Sequence, residues 1–87
     1  MDNGKVAIVD VRTPGEFNGG HVPGSINIPM QHVMQRLEEF RSMKQPIILC
    51  CASGNRSGQV AAYLNGIGIA CENAGSWMDA DRTYQIS

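Results

Sequence analysis

Apolar residues in this chain fall in short runs, and each run stops at a turn-former. Residues 5–11, KVAIVDV, are rich in Val and Ile and predict a buried strand. Residues 12–21 hold Pro14, Gly15, Gly19 and Gly20 and predict a turn, with one helical turn at 14–17. Residues 25–29, SINIP, predict a short strand stopped by Pro29. From Met30 the period changes. Met30, Val33, Met34, Leu37 and Phe40 recur at helical spacing, with Gln31, Arg36, Glu38 and Glu39 opposite, which predicts an amphipathic helix.

Pro46 opens the next segment. Residues 47–51, IILCC, are wholly apolar, as a strand buried on both faces should be. Residues 52–57, ASGNRS, predict a loop, and 57–68 a helix with Val60, Ala61 and Leu64 on one face and Gly66 or Gly68 at its end. Residues 69–75 predict a last short strand, and 76–86 a final helix capped by Ser76. Strands alternating with helices predict an α/β fold with a mainly parallel sheet.

Composition narrows the class. Eighty-seven residues are expected to form one domain, 1–87, with a modest core. A hydrophobic content of 43% against 17% charged excludes an unfolded polar chain. A net charge of -1 gives no electrostatic basis for binding nucleic acid or an acidic membrane. The apolar runs are too short to span a bilayer, and no basic segment followed by an apolar stretch opens the chain. A cytoplasmic location is expected, or a periplasmic one if a leader has been removed. The 3 cysteines, two of them adjacent, fit neither a disulfide framework nor, with His21 and His32, a zinc pattern. No metal or organic cofactor is expected, and Cys71 reads as a small buried hydrophobe.

The chemistry concentrates where the apolar run 47–51 meets a polar loop and a helix. Strands of open α/β sheets present ligand sites at their carboxyl ends. A helix N-terminus adds unpaired N–H groups and partial positive charge. Ala52, Ser53, Gly54 and Asn55 are small or turn-prone, so their N–H groups can form an anion-binding nest with Arg56 and Ser57 beside it. A thiol there should be largely thiolate, the form that acts as a nucleophile.

Two cysteines compete for that role. Counted from Cys50, Arg56 falls at the spacing of a cysteine phosphatase loop, but Ser53 stands where that loop has Gly, and Leu49 stands where it has His. Counted from Cys51, the chain reads C-x-x-G-x-R-S at every position. The shorter loop also closes to a smaller radius, which suits one terminal sulfur better than a phosphoryl group. Cys51 is therefore the expected nucleophile, and Cys50 the last residue packed within the sheet.

At this loop the sequence resembles the rhodanese, or thiosulfate sulfurtransferase, family. Residues 9–29, VDVRTPGEFNGGHVPGSINIP, resemble its N-terminal signature; residues 50–68, CCASGNRSGQVAAYLNGIG, its active-site loop and the helix after it; and residues 72–77, ENAGSW, its closing Asn-x-x-Gly-Gly-Trp segment. The motifs are collinear across nearly the whole chain. Ser76 and Ala80 depart from the family's usual Gly and Trp, and the family usually carries one more short strand ahead of the first one here. The chain thus looks like the minimal single-domain members. The resemblance implies a rhodanese-like three-layer α/β fold with about four parallel strands in the order 4-3-1-2. It also implies a double displacement in which Cys51 takes a sulfane sulfur from thiosulfate or another donor, holds it as a persulfide over the N–H groups of residues 52–57, and passes it to a thiol or cyanide. Arg56 would anchor an anionic donor or brace the loop.

Three other readings stand beside this one. A sulfur-carrier or binding module would take its persulfide from a partner protein and have little activity on thiosulfate. A phosphatase or arsenate reductase would use Cys50. A redox pair of Cys50 and Cys51 would need a strained ring. The expected partners are a small sulfur donor and a thiol acceptor, which can be a protein; a monomer is expected. Asp10 and Arg12 leave the first strand near the crevice and read as structural, through an Arg12–Glu16 pair at i, i+4 spacing. His21 reads as a hydrogen-bonded turn residue, and Trp77 as a core anchor for the last helix.

Overall fold

The computed structural model describes residues 6–84. Four strands, β1 (Ile8–Asp10), β2 (Ile26–Asn27), β3 (Ile47–Cys51) and β4 (Cys71–Ser76), form one parallel sheet. Their order is β2-β1-β3-β4, which is the expected 4-3-1-2 read from the other edge. The chain steps from β1 outward to β2, then crosses to β3 on the other side. The order therefore reverses between β1 and β3, the switch point at whose carboxyl ends open α/β sheets place their ligand sites.

Side chains alternate across β3, the most buried strand. Ile47, Leu49 and Cys51 face one side, packed with Val33, Phe40, Val60, Ala61 and Leu64. Ile48 and Cys50 face the other, with Ile8, Val22 and Ala80, and with Trp77 and Tyr84 against them. The first layer carries α2 (Leu37–Arg41) and α3 (Asn55–Gly66); the second carries α4 (Trp77–Tyr84). The short helix α1 (Pro14–Asn18) follows β1 and starts on a capping box: Thr13 Oγ1 accepts from the Glu16 N–H, and the Glu16 carboxylate accepts from the Thr13 N–H.

Two elements differ from the sequence reading. Residues Met30–Arg36 form a 3₁₀ helix, not the start of an α-helix. Pro29 offers no side-chain cap there, and the tighter i→i−3 bonds satisfy the first turn, as in the His32 N–H to the Pro29 carbonyl at 2.8 Å. Met34, assigned to the apolar stripe, is 69% exposed as a result. The α3 helix starts at Asn55, two residues ahead of the Ser57 start expected. Ser76 does cap α4, through the Asp79 N–H at 3.0 Å. Lys5, at the start of the first predicted strand, and Gln85 and Ile86, at the end of the last helix, lie outside the described residues. Among the described residues no helix is long and apolar enough to cross a membrane.

Candidate active site

Cys51 is the last residue of β3, and β3 lies between β1 and β4. Residues 52–54 carry the chain straight into α3. Gly54 makes the turn possible. Its φ of 97° is a left-handed conformation that side chains rarely adopt, and a Cβ there would meet Gly75 Cα at 3.0 Å. The Gly54 carbonyl then accepts the Gly58 N–H at 2.9 Å and starts the helix early. Asn55, Arg56 and Ser57 therefore sit in the first helical turn, where N–H groups have no partner within the helix.

The sulfur of Cys51 faces this turn. The Gly54 N–H donates to it at 3.0 Å, and the Ser57 hydroxyl lies 3.4 Å away. Burial pushes the Cys51 thiol up. The Ser57 hydroxyl and the N–H groups of Ser57, Ser53 and Gly54 outweigh it and hold the thiol at about 7, against an ordinary 9.0. Burial has no such opposition at Cys50, whose thiol it pushes up to about 12, with Asp10 adding to the effect. Both residues are covered, Cys50 at 0% exposure and Cys51 at 1%. Exposure does not separate them; the donors facing each sulfur do. Cys71 is free and buried among the core side chains beneath α3, and burial raises it to about 11.

Of the other predicted loop residues, Ala52, Ser53 and Asn55 are exposed and Ser57 is buried. Arg56 is paired with a carboxylate. Its Nη1 and Nη2 donate to the two carboxylate oxygens of Glu16 at 2.8 and 3.0 Å. That pair ties α3 to α1 across 40 residues of sequence. The Arg56 guanidinium, with Thr13 beside it, lowers the Glu16 carboxyl to about 2, so the bridge stays charged through the neutral range.

The expected Arg12–Glu16 pair is not formed. Arg12 lies outside α1, so helical spacing does not apply to it. Asp10 and Arg12 instead follow strand spacing, i and i+2 on one side. Arg12 Nε donates to Asp10 Oδ1 at 2.9 Å, and Nη2 donates to Oδ2 at 2.7 Å and to the Gly20 carbonyl at 2.6 Å. The guanidinium lies 5.2 Å from the ring centroid of Trp77. The pair is buried, Asp10 at 0% and Arg12 at 5%, and is structural as expected, with a different partner. His21 is a turn residue: its Nδ1–H donates to the Phe17 carbonyl at 2.8 Å and its ring stacks on Phe17.

Asn73 carries contacts that the sequence reading did not assign. On β4 it donates to the Gly54 carbonyl at 2.9 Å and accepts from Ser57 Oγ at 2.6 Å. The strand pairing slips beside it: Leu49 faces Asn73, yet Cys50 faces Gly75, leaving Ala74 as an extra residue. Glu16 was also missed as a partner of Arg56, although the Thr-x-x-Glu capping box that positions it was readable. Among the described residues no group of three or more His, Cys, Asp or Glu is placed to hold a metal ion.

Fold and site together define a class: a small α/β domain presenting a cysteine sulfur to a helix N-terminus at a sheet switch point. The chain belongs to the rhodanese-like domain family, whose model matches residues 1–79. It is 45% identical over 60 residues to the uncharacterized protein YqhL of Bacillus subtilis, covering 69% of this chain and 47% of that protein. It is 36% identical over 73 residues to thiosulfate sulfurtransferase PspE of Escherichia coli, covering 82% of this chain and 70% of that one. The fold is similar to a rhodanese-like domain protein from Staphylococcus aureus, with a TM-score of 0.76 and 35% identity over 92% of this chain and 78% of that one. The chain thus spans about half the length of the B. subtilis relative.

Proposed function

We propose that this protein is a sulfurtransferase that works through a persulfide on Cys51. The carrying observation is the sulfur of Cys51 set 3.0 Å from the Gly54 N–H and 3.4 Å from the Ser57 hydroxyl, at the end of an interior strand. The Cys51 thiolate attacks the terminal sulfur of the donor. The new S–S bond forms as the bond behind that sulfur breaks, and its electron pair leaves with sulfite or with a donor thiolate. The product carries one negative charge on the outer sulfur. N–H groups fixed in advance around it stabilise that charge without reorganising, as they would an oxyanion. An acceptor thiolate or cyanide then attacks the outer sulfur and returns Cys51 as thiolate. Residues 52–57 supply the nest, and no step uses a metal or organic cofactor. The close cover of the sulfur, with Cys51 1% exposed, suits a terminal sulfur atom better than a bulkier group. Cys50, turned to the opposite face with its thiol raised, does not support a phosphatase reading.

One observation favours the carrier reading as well. Arg12, Arg36, Arg41, Arg56 and Arg82, the arginines of the chain, are each paired with a carboxylate. Arg56, the cation at the loop, is neutralised by Glu16. A dianion such as thiosulfate then meets no unpaired guanidinium, whereas a persulfide on a thiol or a partner protein needs none. The two readings share Cys51 and differ in donor. Transfer rates from thiosulfate and from a small-molecule persulfide, compared in one acceptor assay, separate them. Cys51→Ser should abolish both, and activity that survives in it contradicts both readings.

A further inference from the structure

The hydrogen bonds of Asn73 leave the Ser57 proton one place to go. The Gly54 carbonyl only accepts, so the Asn73 atom 2.9 Å from it is the amide nitrogen. The Asn73 oxygen then faces the Gly75 N–H at 3.1 Å and Ser57 Oγ at 2.6 Å. That oxygen only accepts, so the Ser57 hydroxyl must donate its single proton to it. Yet Ser57 Oγ also lies 3.4 Å from Cys51 Sγ. With Cys51 as a thiol, the chain is complete: S–H to Oγ, and O–H to Asn73. Once the thiol proton leaves to solvent, the sulfur needs donors, and two acceptors compete for one hydroxyl proton.

We infer that Asn73 is a positioning residue for Cys51: its oxygen holds the Ser57 proton while Cys51 is a thiol and gives it up to the sulfur when Cys51 becomes an anion. No covalent bond changes; Ser57 keeps its proton and only turns it. Asn73 stays in place through the turn, because its bonds to Gly54 and Gly75 remain. Room for it is built in, since a Cβ on Gly58 would meet its Nδ2 at 3.1 Å. Ser57 is 0% exposed, so water does not replace either partner. The other titratable or charged groups around the site are Cys71 on the same face, Cys50 with Asp10 and Arg12 on the opposite face, Glu16 and Arg56 at the mouth, and Glu72 and Asp79 on β4 and α4. Among the described residues none of these accepts the Ser57 proton. The inference rests on the reading of Cys51 as a working thiolate, but its consequence is visible without any sulfur donor.

Asn73 and Ser57 should move the ionisation of Cys51 in opposite directions. The test is the pH dependence of iodoacetamide alkylation of the folded protein, resolved to Cys51 by peptide mass spectrometry. Ser57→Ala should raise the midpoint. Asn73→Leu, which removes the acceptor and fills its space, should lower it, giving about threefold more thiolate below the midpoint, because the hydroxyl no longer gives up one bond to make another. The double variant should match Ser57→Ala alone. A brace that merely shaped the loop would raise the midpoint when lost, and would do so with or without Ser57. A raised or unchanged midpoint in Asn73→Leu, or a double variant that differs from Ser57→Ala, overturns the inference. If Asn73→Leu does not fold, the side-chain carbonyl carbon of Asn73 in the wild type is followed by NMR. Its shift should titrate with Cys51 and lose that titration in Ser57→Ala; a shift that stays flat while Cys51 ionises overturns it. A protein that ionises as described but loads no sulfur would count against the proposed function alone.

Discussion

Arg56 and Glu16 meet in a two-pronged ion pair, with N–O distances of 2.8 and 3.0 Å, at the mouth of the Cys51 loop. The pair braces α3 against α1 and at the same time removes the loop's free charge. Glu16→Gln keeps a capping-box side chain and releases the cation. It should lower the KM for thiosulfate several-fold and leave transfer from a neutral-tailed persulfide nearly unchanged. Steady-state kinetics with the two donors check this. An unchanged KM for thiosulfate would mean that Arg56 does not meet the donor even when free. Arg56→Lys should hold Glu16 less well than the wild type, because one ammonium cannot reproduce the planar fork.

The pH profile follows from the depressed thiol of Cys51. Below about 7 the thiolate fraction should fall roughly tenfold per pH unit, and above it the rate of alkylation or sulfur loading should level off. Stability has its own sign. Cys51 ionises more easily folded than unfolded, so its contribution is fully present above its ordinary 9.0 and is lost as pH falls toward 7. Cys50 and Cys71 act the other way. Their thiols are raised to about 12 and about 11, so the unfolded chain loses their protons first and stability falls as pH rises beyond 9.0. Denaturant midpoints measured from pH 6 to 10 should therefore decline at the alkaline end, and less so in a Cys71→Ala variant relative to its own neutral value.

Asp10 and Arg12 form a buried pair, and removing one leaves the other charge uncompensated. Arg12→Ala should cost about 3–5 kcal/mol, enough to leave a domain of this size close to unfolded at room temperature. Arg12→Lys should not restore it, since Lys cannot bridge Asp10, the Gly20 carbonyl and the face of Trp77 together. Thermal unfolding followed by circular dichroism checks both; a small loss in Arg12→Ala would show that the pair is dispensable.

Gly54 is the most constrained turn at the site. Gly54→Ala should destabilise the protein by about 1–3 kcal/mol from its left-handed backbone alone. It should also slow sulfur loading, because the strain and the contact with Gly75 displace the N–H that faces Cys51. Loading at the wild-type rate in this variant would remove Gly54 from the nest.

Much of the fold was legible because it repeats local rules. The apolar run 47–51 could only be a doubly covered strand, and its alternation sends Cys50 and Cys51 to opposite faces. The strand order was not in any local pattern and came from the family resemblance. What stayed hidden was of two kinds. Arg56–Glu16 and Ser57–Asn73 join residues 40 and 16 positions apart, and only tertiary structure brings them together. The Asp10–Arg12 pair was hidden by applying helical spacing to a residue that is still extended, where the two-residue period of a strand would have found it. The 3₁₀ helix at Met30–Arg36 shares its apolar positions with an α-helix over so short a stretch that periodicity does not separate them.

The central claim is that Cys51, and not its neighbour, carries the sulfur. The direct measurement is peptide-resolved mass spectrometry of the protein after incubation with a sulfane donor, run on the wild type, Cys50→Ser and Cys51→Ser. The wild type and Cys50→Ser should each gain the mass of one sulfur atom on Cys51, with Cys50→Ser losing about 1–3 kcal/mol of stability from a hydroxyl in the sheet. Cys51→Ser should gain none. Sulfur mapped to Cys50, or loading that persists in Cys51→Ser, would contradict the account.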